Sequence, residues 1–141
     1  MKTYLVVANQ TLPGQRLAET VRERIAGGAC AFYVVVPLTP VSHGATWEEN
    51  ESNHAARGRL AAFLGVLRHE GVDADGEIGD RDPIQAVRDV LRTRAVDEII
   101  LSTLPPGVSR WLQLDVPTRL ARAVEMPVTV ISQEESAAVQ S

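Results

Sequence analysis

The chain has 141 residues, a length that fits one domain with a sizeable buried core. An apolar share of 45% and a charged share of 23% are ordinary for a globular protein and argue against a disordered chain. The net charge is −4, and the basic residues, 13 of them arginine, are scattered among acids, which argues against a nucleic-acid-binding face. We interpret these basic side chains as solvated helix faces.

The sequence also indicates a compartment. Cys30 is the only cysteine, so no internal disulfide can form, and we expect it to be a small buried hydrophobe. No charged-then-apolar leader opens the chain, and no apolar stretch approaches the roughly 20 residues that a membrane span needs. A soluble, cytoplasmic protein is the expectation.

The first half of the chain alternates short apolar runs with helical periodicity. Residues 3–8 and 31–36 are continuous apolar runs that predict strands buried on both faces of a parallel sheet. The intervening helix is predicted to end at Gly27. Its apolar residues lie at i, i+4 and i+8: Leu17, Val21 and Ile25. The second helix has an apolar stripe made of Ala56, Leu60, Phe63, Leu64 and Leu67.

Turn and capping signals bound the middle of the chain. Thr46, with Glu49 three residues later, predicts a capping box at the start of the second helix, and Gly71 predicts its end. Residues 73–78 are only weakly apolar and predict an edge strand. Asp82 followed by Pro83 predicts the N-cap and first residue of a third helix. Its stripe is Ile84, Val87, Val90 and Leu91.

The last part of the chain repeats the alternation. Residues 97–102 and 127–132 predict two further strands. Asp115 is predicted to cap the helix between them, whose stripe is Val116, Leu120 and Val124. We expect one domain over residues 1–132 and a flexible polar tail over residues 133–141.

Strict alternation of strands and helices predicts a doubly wound α/β fold with a five-stranded parallel sheet and helices on both faces. Periodicity leaves two strand orders open. In the order 2-1-3-4-5 the ligand crevice lies between strands 1 and 3, and in the order 3-2-1-4-5 it lies between strands 1 and 4.

The loop from Ser102 to Arg110, after the fourth strand, is the strongest candidate for a ligand site. It combines hydroxyl groups, a glycine and an arginine before a helical turn, so its backbone N–H groups suit an anion. Two features oppose that interpretation. Pro105 and Pro106 have no N–H to donate, and Asp115 brings negative charge to the next helix. Trp111 is predicted to be a core or loop anchor, or alternatively to cover a ligand.

The sequence lacks the motifs of several other binding and catalytic sites. The chain has no dinucleotide-binding glycine fingerprint, no Walker lysine and no nucleophile elbow. Its histidines show no metal-ligand spacing: His43, His54 and His69. Asp80 and Asp82 are close in sequence, but Asp82 is explained as a cap. We therefore expect no catalytic residue and no metal, since a nucleotide hydrolase or transferase would need an acid, a base or a metal site.

From about residue 79 to residue 131 the chain resembles the universal stress protein superfamily, and more loosely in its first half. The resemblance rests on Gly79 to Pro83 before a helix, the buried strand 97–102, and a loop with Gly107. It rests further on Ser109 and Arg110 and on the Pro127–Val128 start of the last strand. The resemblance implies strand order 3-2-1-4-5, ATP or AMP as the ligand, and a homodimer paired through the last strand.

Carried over by position, the resemblance implies two groups of binding residues. The adenine side takes Ala8, Asn9 and Val36, and the phosphate side takes Ser102, Gly107, Ser109 and Arg110. Asn9 stands where the family usually has aspartate, and Ser102 stands where it has the first loop glycine. Leu114–Asp115 replaces a phosphate-binding Gly–Ser pair. These departures indicate a divergent member with an altered nucleotide loop.

The sequence favours two functions, and a nucleotide hydrolase or transferase on the same fold is a less favoured third. The first is a stress-response module that binds a small ligand, with an adenine nucleotide as the candidate. The second is a protein-interaction module that keeps the same fold without a nucleotide, which the Pro105–Pro106 pair and Leu114–Asp115 favour.

Overall fold

The computed structural model describes residues 1–8, 13–38, 48–104 and 110–132, with the backbone alone at residues 48–52, 110 and 113. The strands are β1 (Lys2–Ala8), β2 (Cys30–Pro37), β3 (Asp73–Gly79), β4 (Glu98–Thr103) and β5 (Val128–Ser132). The helices are α1 (Gln15–Ala26), α2 (Glu48–His69), α3 (Pro83–Leu91), α4 (Arg110–Gln113) and α5 (Val116–Ala123). No helix within the described ranges is long and apolar enough to cross a membrane.

The strand and helix predictions from the sequence are confirmed. Each strand lies within one residue of its predicted bounds at either end, and α2 ends two residues before Gly71. Gly71 has a φ of +91°, a conformation that glycine adopts without steric cost. The short α4 is an addition, because four residues are too few to show a helical period. The predicted cap Thr46 and the predicted tail 133–141 lie outside the described residues.

The sheet is parallel throughout and has the order β3-β2-β1-β4-β5, so the expected doubly wound α/β class and the order 3-2-1-4-5 are confirmed. β1 pairs with β2 on one side and with β4 on the other. β3 lies at one edge, as its weak apolar run predicted, and β5 lies at the other.

Two apolar clusters cover the two faces of the sheet. On one face α1 and α2 pack over strand residues such as Val6, Val34 and Ile100. On the other face α3 and α5 pack over the alternate residues of the same strands, including Leu5, Val35 and Leu101. Because β1, β2 and β4 are buried on both faces, their sequences are continuous apolar runs. Cys30 is half-buried and packs against the first cluster, as a small hydrophobe would.

A charged network joins α1 to the β4–β5 side of the sheet. Arg24 donates two hydrogen bonds to Glu98, from Nε to Oε1 at 3.1 Å and from Nη2 to Oε2 at 2.8 Å. Thr129 donates from Oγ1 to Glu98 Oε2 at 2.5 Å. Burial by itself raises the pKa of Glu98, but the hydrogen bonds from Arg24 and Thr129 outweigh it and leave that pKa below its ordinary value.

We predict that Glu98→Gln lowers the free energy of unfolding by about 1.5–3 kcal/mol at pH 7, because it removes charge-assisted hydrogen bonds from a half-buried guanidinium. The folded-state pKa of Glu98 is depressed. Its contribution is therefore complete above the unfolded-state value of about 4.3 and disappears as the pH falls through the folded-state value. Urea unfolding of both proteins between pH 7 and pH 3 measures the difference.

Glu23→Gln is the matched control for this network. Glu23 also contacts Arg24, at 3.4 Å, but its side chain is 72% exposed, so its removal should change stability little. An equal loss in both variants, or a wild-type advantage over Glu98→Gln that does not shrink at low pH, would contradict the assignment.

Candidate functional site

The carboxyl ends of β1 and β4 lie side by side. Residues predicted for the adenine side and for the phosphate side of the site therefore meet there. Ala8 and Ser102 are directly paired across the two strands. The β1–β2 register runs to Val7 and Val35, so Val36 follows beside Ala8. The strand order reverses between β1 and β4, because β2 and β3 lie on one side of β1 and β4 and β5 lie on the other. A crevice at such a reversal is the usual ligand site in open α/β sheets.

The rest of the predicted site is only partly described. Asn9, Gly107 and Ser109 lie outside the described residues. Arg110 begins α4, and its backbone alone is described. The structure therefore brings together Ala8, Val36 and Ser102, and places the start of α4 after the loop that follows β4.

The three residues at the strand ends offer binding surface and no acid–base chemistry. Ala8 and Val36 are 1% and 0% exposed, so a ligand at this edge would meet their backbone rather than their side chains. Ser102 is 6% exposed and lies on the same face of the sheet as its partner Ala8. Thr103 lies on the opposite face, where its Oγ1 is 3.3 Å from the hydroxyl oxygen of Ser132.

The carboxylates between β3 and α3 have structural partners. Asp80 Oδ1 accepts a hydrogen bond from the backbone N–H of Asp82 at 2.9 Å. Asp82 Oδ1 accepts one from the N–H of Ile84 at 3.0 Å, which confirms it as the N-cap of α3. Within the described part of the chain, no group of three or more His, Cys, Asp or Glu side chains is placed to hold a metal ion.

The predicted cap of the last helix is wrong in its mechanism. Asp115 does precede α5, but its side chain makes no capping hydrogen bond. Its backbone has φ 58° and ψ 37°, the left-handed conformation, whereas a capping side chain usually extends from β-region backbone. The residue instead turns the chain between α4 and α5, a position that aspartate tolerates better than most residues.

Two large side chains next to this turn differ in their environment. Trp111 is half-buried and packs against the apolar cluster under α3 and α5, so the prediction of a core anchor is confirmed. Leu114 is 50% exposed. The Leu114–Asp115 segment thus presents an apolar side chain and a left-handed aspartate.

The other end of the sheet holds a surface depression of about 610 Å³. Its arginines already have partners. Arg68 donates to the backbone oxygen of Ala74, and the Arg94 guanidinium stacks 3.8 Å from the centre of the Tyr33 ring. Tyr33 in turn donates to Glu77 at 2.7 Å. This depression is therefore explained by packing at the amino ends of the strands, away from the crevice.

One polar side chain that the sequence analysis assigns to a solvated helix face has a different environment. Arg59 of α2 is half-buried, and its Nε has no hydrogen-bond partner in the part of the chain that the structure describes. A sequence signal was available, because the neighbours of Arg59 one turn away are alanines and a phenylalanine, with no acid to pair with it.

The order of strands and the position of the crevice define a doubly wound α/β fold. Solved structures of universal stress proteins share it, and three of them are compared with this chain. A universal stress protein from Archaeoglobus fulgidus is 17% identical, with 93% of each chain covered and a TM-score of 0.62. A second structure of the universal stress protein from that organism, in complex with dAMP, is 17% identical. It covers 93% of this chain and 99% of its own, with a TM-score of 0.60.

The third is a universal stress protein family protein from Arabidopsis thaliana with AMP bound. It is 15% identical and covers 95% of this chain and 94% of its own, with a TM-score of 0.61. No family model matches the chain, and no curated protein does. The chain therefore has the fold of the universal stress proteins, over nearly its whole length.

The two aspartates that precede α3 and α5 should respond differently to substitution. Asp82→Ala should lower the free energy of unfolding by about 1 kcal/mol, because it removes a capping hydrogen bond. Asp115→Gly should leave stability unchanged or raise it by less than about 1 kcal/mol, because glycine adopts the left-handed conformation freely. Urea unfolding of both variants tests this. A larger loss from Asp115→Gly than from Asp82→Ala would contradict it.

Proposed function

We propose that the chain is a divergent member of the universal stress protein superfamily that binds a small ligand, with an adenine nucleotide as the candidate. The observation that carries the proposal is the pairing of Ala8 with Ser102 at the reversal of strand order. Two proteins of the same fold were solved with dAMP and with AMP bound. AMP and ATP are therefore the first ligands to test.

The proposed binding residues divide between the two sides of the crevice. Ala8, Asn9 and Val36 would hold the adenine, largely through backbone groups because Ala8 and Val36 are buried. The phosphates would bind on the β4 side, where the proposed residues are Ser102, Gly107, Ser109 and Arg110. The proposed role is binding rather than catalysis, because this set contains no general acid or base.

Removing the Ser102 hydroxyl tests the proposed site. Ser102→Val should weaken AMP binding about tenfold, the loss expected for one hydrogen bond at the ligand. Isothermal titration with AMP and with ATP, without added metal, measures the affinity. Thr103→Val is the matched control, because this neighbouring hydroxyl lies on the other face of β4 and contacts Ser132. Its AMP affinity should equal that of the wild type.

Two results would overturn the nucleotide assignment. One is the absence of heat with AMP and ATP at high micromolar concentration. The other is equal AMP affinity in the wild type and Ser102→Val. Native mass spectrometry of the purified protein adds a direct observation, since a retained nucleotide appears as added mass.

We also propose a homodimer formed through β5. This strand is an edge of the sheet, and Val130 on it is 39% exposed. An edge strand leaves backbone donors and acceptors unpaired, and pairing with a second copy of the strand would satisfy them. α1 lines the same edge with charged residues, including Arg16, Glu19 and Glu23, which would surround the apolar contact.

A charge at the centre of this edge tests the dimer. Val130→Glu should convert dimer to monomer in native mass spectrometry and light scattering, because two buried carboxylates would face each other across the contact. Asp73→Lys on the opposite edge strand, β3, is the control and should keep the wild-type mass. A monomeric wild type, or a dimeric Val130→Glu, would overturn the proposal.

The nucleotide-independent protein-interaction module is the second candidate. The exposure of Leu114 favours it, because an apolar side chain beside the α4–α5 turn offers a contact surface. The titrations separate the two candidates. A protein that binds neither AMP nor ATP supports the interaction module.

A further inference from the structure

Arg59 is a half-buried cation on α2. Its Nε atom makes no hydrogen bond to any residue that the structure describes. Burial lowers the pKa of this guanidinium, which reflects the cost of holding its charge away from water. Arginine nevertheless stays charged in proteins, so an anionic neighbour would stabilise this half-buried charge.

Helical geometry shows which way Arg59 faces. Glu70 comes eleven residues later, about three turns, and therefore lies on the same side of the helical segment. Glu70 accepts two hydrogen bonds of 3.0 Å from Arg22 of α1. Arg68, on the opposite side, contacts Ala74 of β3. Arg59 accordingly lies on the side of α2 that faces α1, above the β1–β2 part of the sheet.

The position of Arg59 along α2 directs its side chain towards the ligand edge of the sheet. Side chains on a helix tilt towards its N-terminus, and α2 begins after the carboxyl end of β2. Ala56, one turn before Arg59, belongs to the same buried cluster as Ala8 and Val36. Helical geometry therefore favours an Arg59 side chain directed towards the level of these strand ends, on the side of α2 that faces α1.

The surrounding sequence provides no countercharge. The residues three and four positions away on the helix are Ala55, Ala56, Ala62 and Phe63. The nearest acid of α2, Glu51, is eight residues away, about 12 Å along the helix axis. The segments that follow β1 and β2, residues 9–12 and 39–47, contain no Asp or Glu. In contrast, the half-buried Arg24 has Glu98 as its partner.

We propose that Arg59 binds an oxyanion, a phosphate or a carboxylate group, in the groove between α1 and α2 on the β1–β2 side of the crevice. The planar guanidinium presents parallel N–H groups that match both oxyanions. This subsite is separate from the proposed phosphate side at β4, and it does not depend on nucleotide binding.

Simple anions test the subsite in the full chain. Inorganic phosphate and succinate, titrated at constant ionic strength, should raise the unfolding temperature of the wild type. Arg59→Met should weaken the apparent affinity for the bound anion at least about tenfold, because it removes a charge-assisted contact. A response to phosphate alone identifies a phosphate group as the ligand chemistry, and a response to succinate alone identifies a carboxylate.

Three controls keep the test specific. Arg57→Met alters an exposed arginine of the same helix and should bind anions as the wild type does. Ser102→Val, titrated in parallel, separates this subsite from the proposed phosphate side at β4. A loss of anion affinity in Arg59→Met that Ser102→Val does not share assigns the anion to Arg59, and the reverse pattern assigns it to β4. Arg59→Met without anion should be at least as stable as the wild type, because it removes an unpaired buried donor.

The proposal is overturned by any of three outcomes. The first is a wild type that neither anion stabilises. The second is equal anion affinity in Arg59→Met and the wild type. The third is a marked loss of stability in anion-free Arg59→Met, which would show that Arg59 has a structural partner.

Discussion

The pairing of β1 with β4 is the constraint on which the rest of the structure depends. The chain first builds β1, β2 and β3 outward in one direction, and then returns to the free side of β1. Right-handed crossovers then require α1 and α2 to cover one face and α3 and α5 to cover the other. The reversal joins the carboxyl ends of β1 and β4 and brings Ala8 beside Ser102.

The same burial that stabilises the sheet determines what its ligand edge can do. β1, β2 and β4 carry buried residues on both faces, so their carboxyl ends are held rigidly by the two apolar clusters. The side chains at those ends are small or apolar and bury themselves among their neighbours. Among the described residues, this edge therefore offers a ligand backbone groups and one hydroxyl, that of Ser102.

Two arginines of the same face show how charge is distributed between structure and site. Arg24 lies over the β4–β5 side and is satisfied by Glu98, which Thr129 also contacts. Arg59 lies on the α1-facing side of α2 and has no such partner among the described residues. Both are partly withdrawn from water, and the difference lies in whether the fold supplies an acceptor. Our proposal for Arg59 rests on that difference.

The sequence by itself determined the elements and the class of fold. Continuous apolar runs such as 31–36 mark strands buried on both faces, and Asp82 with Pro83 marks the start of α3, because both signals depend on local geometry. Periodicity alone could not determine the strand order, and it left two orders open. The resemblance carried by residues 79–131 supplied the correct one.

Only the tertiary structure decided which polar residues have partners. Aspartate is a common capping residue. The turn between α4 and α5 nevertheless holds Asp115 in a left-handed conformation, in which its side chain makes no capping hydrogen bond. The helical pattern of the sequence does not distinguish Arg24 from Arg59. In the folded chain Arg24 contacts Glu98, whereas the Nε of Arg59 has no partner among the described residues. Side-chain partners come from segments far apart in the chain, so they depend on how the helices pack. The periodicity of a segment indicates only which of its own side chains are buried.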